Sequence, residues 1–231
     1  MDLESIVSWT ATIIGFSLKA SPIVLFYKIA TEKEKIEIVP ELLIICNALC
    51  AELWFSYWTK IGNKLAPLVS SSVSLILGLI ISFIYLYYFS KKKWTKFLLF
   101  IFLESAFSCL LFYGLNKVEV KIIGFIANIV NVITFISPGQ KILRVCREKN
   151  YKLIPIVTTV LGFVTSFGWL CFGILINDIN VMIPNTISSI FAIFNTSIWI
   201  YFYCKRKDKE KKDEEEEMIE TDKGDEEIKE V

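Results

Sequence analysis

The chain of 231 residues contains no histidine. That removes the commonest general base and the commonest metal ligand. Its six cysteines, Cys46, Cys50, Cys109, Cys146, Cys171 and Cys204, fall within or at the ends of apolar stretches, and none has metal-ligand spacing. They read as small apolar fillers. No nucleotide loop, nucleophile–base set or zinc pattern is present. No enzyme is expected, and no cofactor or metal. Charge is also scarce: 21% of residues are Asp, Glu, Lys or Arg, against 54% hydrophobic. A water-soluble domain of this length must alternate apolar and polar residues to show water a polar face.

What is there instead is a repeated unit of about 20 apolar residues closed by a short charged break, the length that crosses a hydrocarbon core of roughly 30 Å. Backbone groups in lipid must be satisfied within the segment, so these units read as helices. The spans are placed at 5–29, 38–58, 65–89, 97–115, 119–145, 153–176 and 180–204. The first begins near Met1 with no basic n-region or small-residue cleavage site, so it is expected to be retained. The fold class is therefore an all-α membrane protein with seven transmembrane helices.

Orientation follows the Lys and Arg in the connections. One side carries Lys28, Lys33, Lys35, Lys91 to Lys93, Lys96, Lys141, Arg144, Arg147, Lys149, Lys152 and Lys205 to Lys207. The other has Lys60, Lys64, Lys117 and Lys121. The basic side is read as cytoplasmic, which puts the N-terminus outside and the C-terminus inside, in a plasma membrane or endomembrane. From Lys205 on, 8 basic residues stand against 13 acidic ones, a balance of −5 within a total of +1. That stretch lacks the apolar content for a core and is expected to be a disordered tail.

An internal repeat organises the rest. Ser21-Pro22 recurs as Ser137-Pro138 at an offset of 116; Pro40 recurs as Pro155 and Trp54 as Trp169 at 115; Ser71 corresponds to Asn185 at 114. The expected organisation is a first three-helix repeat over 1–90, a linker helix over 91–116, a second repeat over 117–204 and the tail over 205–231. A single linker helix makes the two repeats parallel, related by an axis along the membrane normal, with a site where they meet. Four prolines, Pro22, Pro40, Pro138 and Pro155, lie toward the inner ends of their spans, and proline bends a helix by removing one of its hydrogen bonds. Trp54 lies about 6 Å, and Ser71 about 9 Å, from the outer ends of their spans at 1.5 Å per residue. Trp169 and Asn185 fall at comparable depths. Aromatic faces opposite amides or hydroxyls suit a sugar, whose C–H faces stack while its hydroxyls need partners. An interfacial aromatic belt and helix–helix glue are the competing readings of the same residues.

Together these residues resemble the SWEET family of sugar transporters, within the PQ-loop superfamily. The stretch Phe167 to Asn185, F-G-W-L-C-F-G-I-L-I-N-D-I-N-V-M-I-P-N, is similar to the family's second-repeat pattern, and Ser21-Pro22 and Ser137-Pro138 resemble its paired Ser-Pro elements. The resemblance covers about residues 5 to 205. It implies two three-helix bundles, alternating access, and uniport of mono- or disaccharides. It implies that Asn185 and Trp169 line the pocket with Ser71 and Trp54, and that Leu18 and Thr134 shape substrate size. It makes the four prolines hinges, and Tyr57 and Asp178 an outer gate. Ser71 stands where the first-repeat asparagine is expected, and Trp58 where a glycine follows Tyr57.

Lys19, Glu52 and Glu104 are ionisable residues inside spans, costly there and so candidates for function. Glu52 is expected near the outer surface, where it can snorkel, and Lys19 and Glu104 are at depths that allow a pair. One rival reading is a proton-coupled transporter of amino acids or other small solutes, with Glu52 or Glu104 taking the proton. Another is a seven-helix receptor without transport, which would not need an internal repeat. The expected partners are a small-molecule sugar and the lipid bilayer, with no nucleic acid; a homo-oligomer is compatible with the sequence. The charge bias carries a prediction. Protease added to intact, right-side-out cells should spare an epitope placed after Val231, and cleavage there would reverse the topology.

Overall fold

Many large apolar side chains are exposed, and a set of polar ones is buried. On one helix Leu98, Leu99, Phe102, Leu103 and Leu110 are all exposed, Phe102 at 68%, while Ser8, Thr12, Ser70, Ser82, Asn128, Thr165 and Ser189 are buried elsewhere in the chain. This inverts the pattern that water imposes on a surface, and it fits a surface solvated by lipid. The computed structural model describes residues 2–32, 41–88, 93–114, 117–134, 136–151, 154 and 156–229. Among these are eight α-helices and no strand: α1 (Leu3–Glu32), α2 (Glu41–Ile61), α3 (Leu65–Tyr88), α4 (Lys93–Gly114), α5 (Val120–Thr134), α6 (Ile136–Glu148), α7 (Ile156–Leu175) and α8 (Ile179–Lys229).

Among the described residues, four segments are long and apolar enough to cross a membrane: Leu65–Tyr87, Trp94–Leu111, Ile156–Leu175 and Ile179–Asp208. The helices α1 and α2 match the first two expected spans in place but are less apolar, because they carry interior polar residues: Ser8 and Thr12 on α1, Glu52 and Ser56 on α2, all buried. Those hydroxyls are largely satisfied along their own helices. Thr12 Oγ1 donates to Ser8 O at 2.8 Å and Ser8 Oγ to Ser5 O at 3.2 Å, so they need no water.

Six helices close a ring. Each packs on two neighbours in the order α1, α3, α2, α5, α8, α7 and back to α1, while α4 lies outside the ring against α3 and α2. Close approach at the α1–α7 seam needs small residues: a Cβ at Gly168 would stand 3.0 Å from Ala11 Cβ, within the small-residue packing typical of membrane helices. At the N-terminus, Asp2 caps α1 by accepting the Ser5 N–H at 3.3 Å, a bond that holds its carboxyl below the ordinary range.

Three expectations are corrected. Residues 205–229 are helical as the continuation of α8, where disorder was expected. Glu, Lys and Arg are good helix formers, and a helix already nucleated extends through them at little cost. Glu52 does not snorkel to the surface: it is 6% exposed, and Ser108 of α4 donates to its Oε1. Nor does Lys19 pair with Glu104. Its Nζ donates to Ser70 O at 3.2 Å and Ser70 Oγ at 3.0 Å, both on α3.

Candidate functional site

The chain turns sharply between α7 and α8, and the turn positions an acid. Asn177 takes a left-handed conformation, φ 53°, which asparagine tolerates better than most residues. The Asp178 N–H then reaches back to Gly173 O at 2.9 Å and the Asn177 N–H to Ile174 O at 3.1 Å, closing α7 in a Schellman arrangement. Asp178 is at once the N-cap of α8: its Oδ1 accepts the Asn180 N–H at 3.0 Å. The second oxygen is left free to leave the element, and it does. Tyr57 of α2 donates its hydroxyl to Asp178 Oδ2 at 2.6 Å. Residues 121 positions apart in the chain thus share a short, charge-assisted hydrogen bond.

Two further side chains extend this bond, and neither was singled out in the sequence. Asn180 Nδ2 donates to the Tyr57 hydroxyl at 3.5 Å, and Asn128 Nδ2 of α5 donates to Asn180 Oδ1 at 3.5 Å. A polar chain therefore runs through α2, α8 and α5. Gly124 of α5 makes room for it: a Cβ there would meet Asn180 Cγ at 2.7 Å and Tyr57 Cε2 at 2.8 Å. Pro184 cannot donate to the Asn180 carbonyl, which loosens the first turn of α8 beside the bond. The available signals were a polar residue inside an apolar span, Asn128, and an amide two positions after a helix-capping acid, Asn180.

Below and around this network lies an aromatic cluster. Trp54 and Trp169 both pack into one core with Leu53, Tyr57, Trp58, Ile123, Phe172 and Val181. Trp54 meets Tyr57 edge-on at 5.4 Å and stacks with Trp58 at 6.5 Å; Trp58 contacts Phe172 at 6.1 Å, and Phe172 meets Trp169 at 5.6 Å. The two tryptophans expected as walls are joined by Trp58 and Phe172. Trp58, which replaces the small residue expected after Tyr57, is 4% exposed and fills the space between α2 and Phe172 of α7. A cavity of about 260 Å³ lies at the N-terminal ends of α1 and α3, bordered by Asp2, Ser5, Trp9, Asn63, Lys64 and Phe172.

The other expected site residues are distributed as follows. Ser71 is buried, and its hydroxyl is turned to its own helix, also reaching Leu68 O at 3.0 Å. Asn185 is half-buried, with its amide donating to Val181 O at 2.7 Å. Leu18 lies at the α1–α7 seam, 4.0 Å from where a Cβ on Gly162 would stand. The backbone at Thr134 and Pro138 is described at the α5–α6 boundary and that at Pro22 within α1; Pro40 and Pro155 lie outside the described residues.

A ring of helices with a polar interior and a lipid-facing exterior defines an integral, multi-pass membrane protein. A family model described as "Sugar efflux transporter for intercellular exchange" matches the chain twice, at residues 5–93 and 121–208, and the chain belongs to that family, the SWEET transporters. The second match begins at 121 against 5 for the first, an offset of 116. Among relatives, Sugar transporter SWEET1 of Dictyostelium discoideum is 24% identical over 209 residues, covering 85% of this chain and 92% of its own. Sugar transporter SWEET1 of Drosophila pseudoobscura pseudoobscura is 27% identical over 164 residues, covering 68% and 72%. A solved structure of a eukaryotic SWEET transporter superposes with a TM-score of 0.75 at 19% identity, over 88% of this chain and 100% of that one.

Loss of the Tyr57–Asp178 bond should open the seam it spans. A charge-assisted hydrogen bond shielded from water contributes about 1.5–3 kcal/mol, a factor of roughly 10 to 150 in population. Cys50 is buried two turns from Tyr57 on α2. In a background without the other thiols, Asp178→Ala should raise the reactivity of Cys50 toward a membrane-impermeant thiol reagent. Gly124→Val should do the same. Unchanged reactivity in both would remove the bond from any gating role.

Proposed function

We propose that this protein is a facilitative transporter, a uniporter of mono- or disaccharides, that works by alternating access. The observation that carries the reading is the double match to one transporter family, joined to a hydrogen bond between the two matched regions at Tyr57 and Asp178. Relatives named as sugar transporters, among them Bidirectional sugar transporter SWEET7b of Oryza sativa subsp. indica, supply the substrate class.

The helix ring supports two parallel repeats. The order α1–α3–α2 recurs as α5–α8–α7, and the joints α1–α7 and α2–α5 exchange under the same mapping. That is the pattern of a pseudo-two-fold axis along the membrane normal. On this reading residues 1–90 and 117–204 are the two moving units, 91–116 the linker and 205–231 an appended cytoplasmic segment, with the N-terminus outside. Tyr57 and Asp178 close the outer end. Trp54 and Trp169 form apolar walls, Leu18 and Thr134 bound the substrate, and Pro22, Pro40, Pro138 and Pro155 flex at the inner end. Asn185 and Ser71 supply hydrogen bonds once sugar hydroxyls replace their intrahelical partners. Glu52 and Glu104, the proton carriers of the rival reading, lie at the joint of α2 with α4, outside the ring. Their position favours uniport over proton coupling.

Proteoliposomes test both the activity and the pocket. Labelled sugar should equilibrate down its own gradient, and an imposed pH gradient should drive no accumulation. Asn185→Ala removes a hydrogen-bond partner worth about 1–3 kcal/mol, so uptake should fall roughly 5- to 150-fold. Uphill accumulation would favour the proton-coupled rival, and near-normal uptake by Asn185→Ala would take the asparagine out of the pocket.

A further inference from the structure

Lys19 sits in the middle of α1, directly after Leu18, with a half-buried side chain. Side chains on a helix lean toward its N-terminus, and Lys19 accordingly reaches back to Ser70 of α3, the residue before Ser71. Its ammonium has three N–H donors. Two are used, and both partners are uncharged: the Ser70 carbonyl at 3.2 Å and the Ser70 hydroxyl at 3.0 Å. Neither described ion pair includes Lys19. Three of the described acids are engaged elsewhere. Glu4 pairs with Lys64, Asp178 accepts from Tyr57, and Glu52 accepts from Ser108. Glu104 belongs to α4, which packs on α3 and α2 outside the ring.

A cation within a membrane span is costly and is normally balanced by an opposite charge. Among the described residues the ammonium is held by neutral groups, which leaves one donor and the charge itself over. Lys19 is next to Leu18 in the chain and its partner Ser70 is next to Ser71, the two positions that the proposed function assigns to the substrate. We infer that the substrate brings the balancing charge: the pocket is suited to a sugar acid, a hexose-sized ring with one carboxylate, held by Lys19. The inference rests on the sugar-transport reading and narrows its substrate. Charge count decides between the two anionic sugar classes. One ammonium balances one carboxylate, whereas a phosphate monoester carries about −1.5 to −2 and would leave excess negative charge in the span.

Competition against uptake of labelled glucose by the full-length chain in proteoliposomes reads this directly. Glucuronate should compete about tenfold more strongly than unlabelled glucose, and glucose 6-phosphate less strongly than glucuronate. Lys19→Met should reduce the glucuronate-to-glucose ratio of competition about tenfold, and Lys19→Arg, which keeps the charge, should preserve it. Glucose uptake that glucuronate does not inhibit, or a ratio unchanged in Lys19→Met, would overturn the inference while leaving sugar transport standing. Stronger competition by the phosphate would overturn the carboxylate assignment. Absence of uptake of any sugar by the wild type would overturn the transport reading and this inference with it.

Discussion

In hydrocarbon an unpaired polar group has no water to turn to, and that constraint organises this molecule. Buried hydroxyls on α1 and α3 bond back to their own helix, as those of Thr12 and Ser71 do, or bridge to a neighbour, as that of Thr12 does to Ala66 O at 3.4 Å; Ser82 of α3 is the exception, its hydroxyl meeting no partner among the described residues. Ser189 bridges to Ser166 between α8 and α7. Polar side chains are thereby drawn into the ring and apolar ones left to the lipid. The polar chain from Asp178 through Tyr57 and Asn180 to Asn128 is the same solution at the place where three elements meet. It can be both stable and releasable, since it is made of few bonds and an aqueous ligand can replace them.

The aromatic cluster beside that chain gives the seam its apolar seal. Trp58 is the informative member. A glycine at this position would leave space between α2 and α7; the indole fills it and contacts Phe172. Aromatic contacts of this kind add about 0.5–1.5 kcal/mol beyond their buried area. In this chain, then, the contact between the two matched regions draws on packing as well as on one hydrogen bond.

Much of this was legible in the sequence, for reasons that differ by element. Periodic apolar runs located α3, α4, α7 and the first part of α8 because lipid demands length and hydrophobicity together. The Tyr57–Asp178 contact was accessible through resemblance, and the repeat through its prolines and tryptophans. Other features were not legible. The acidic stretch after Lys205 has the composition of a disordered tail and also of a good helix, and only its continuity with α8 decides between them. Lys19, Glu52 and Glu104 were visible as charges inside spans, but their partners depend on which helices are neighbours. Helix order in the ring, α3 between α1 and α2, has no signature in a chain whose connections are all short.

The central claim is that the regions on either side of the Tyr57–Asp178 bond move apart and together around a sugar. Spin labels at Leu65 of α3 and Ile179 of α8, both exposed at the start of their helices, would report the separation by pulsed dipolar spectroscopy. The accessible native cysteines would first be replaced. The account predicts two distance populations in reconstituted protein, with their ratio changing when sugar is added. A single population that sugar does not alter would contradict it.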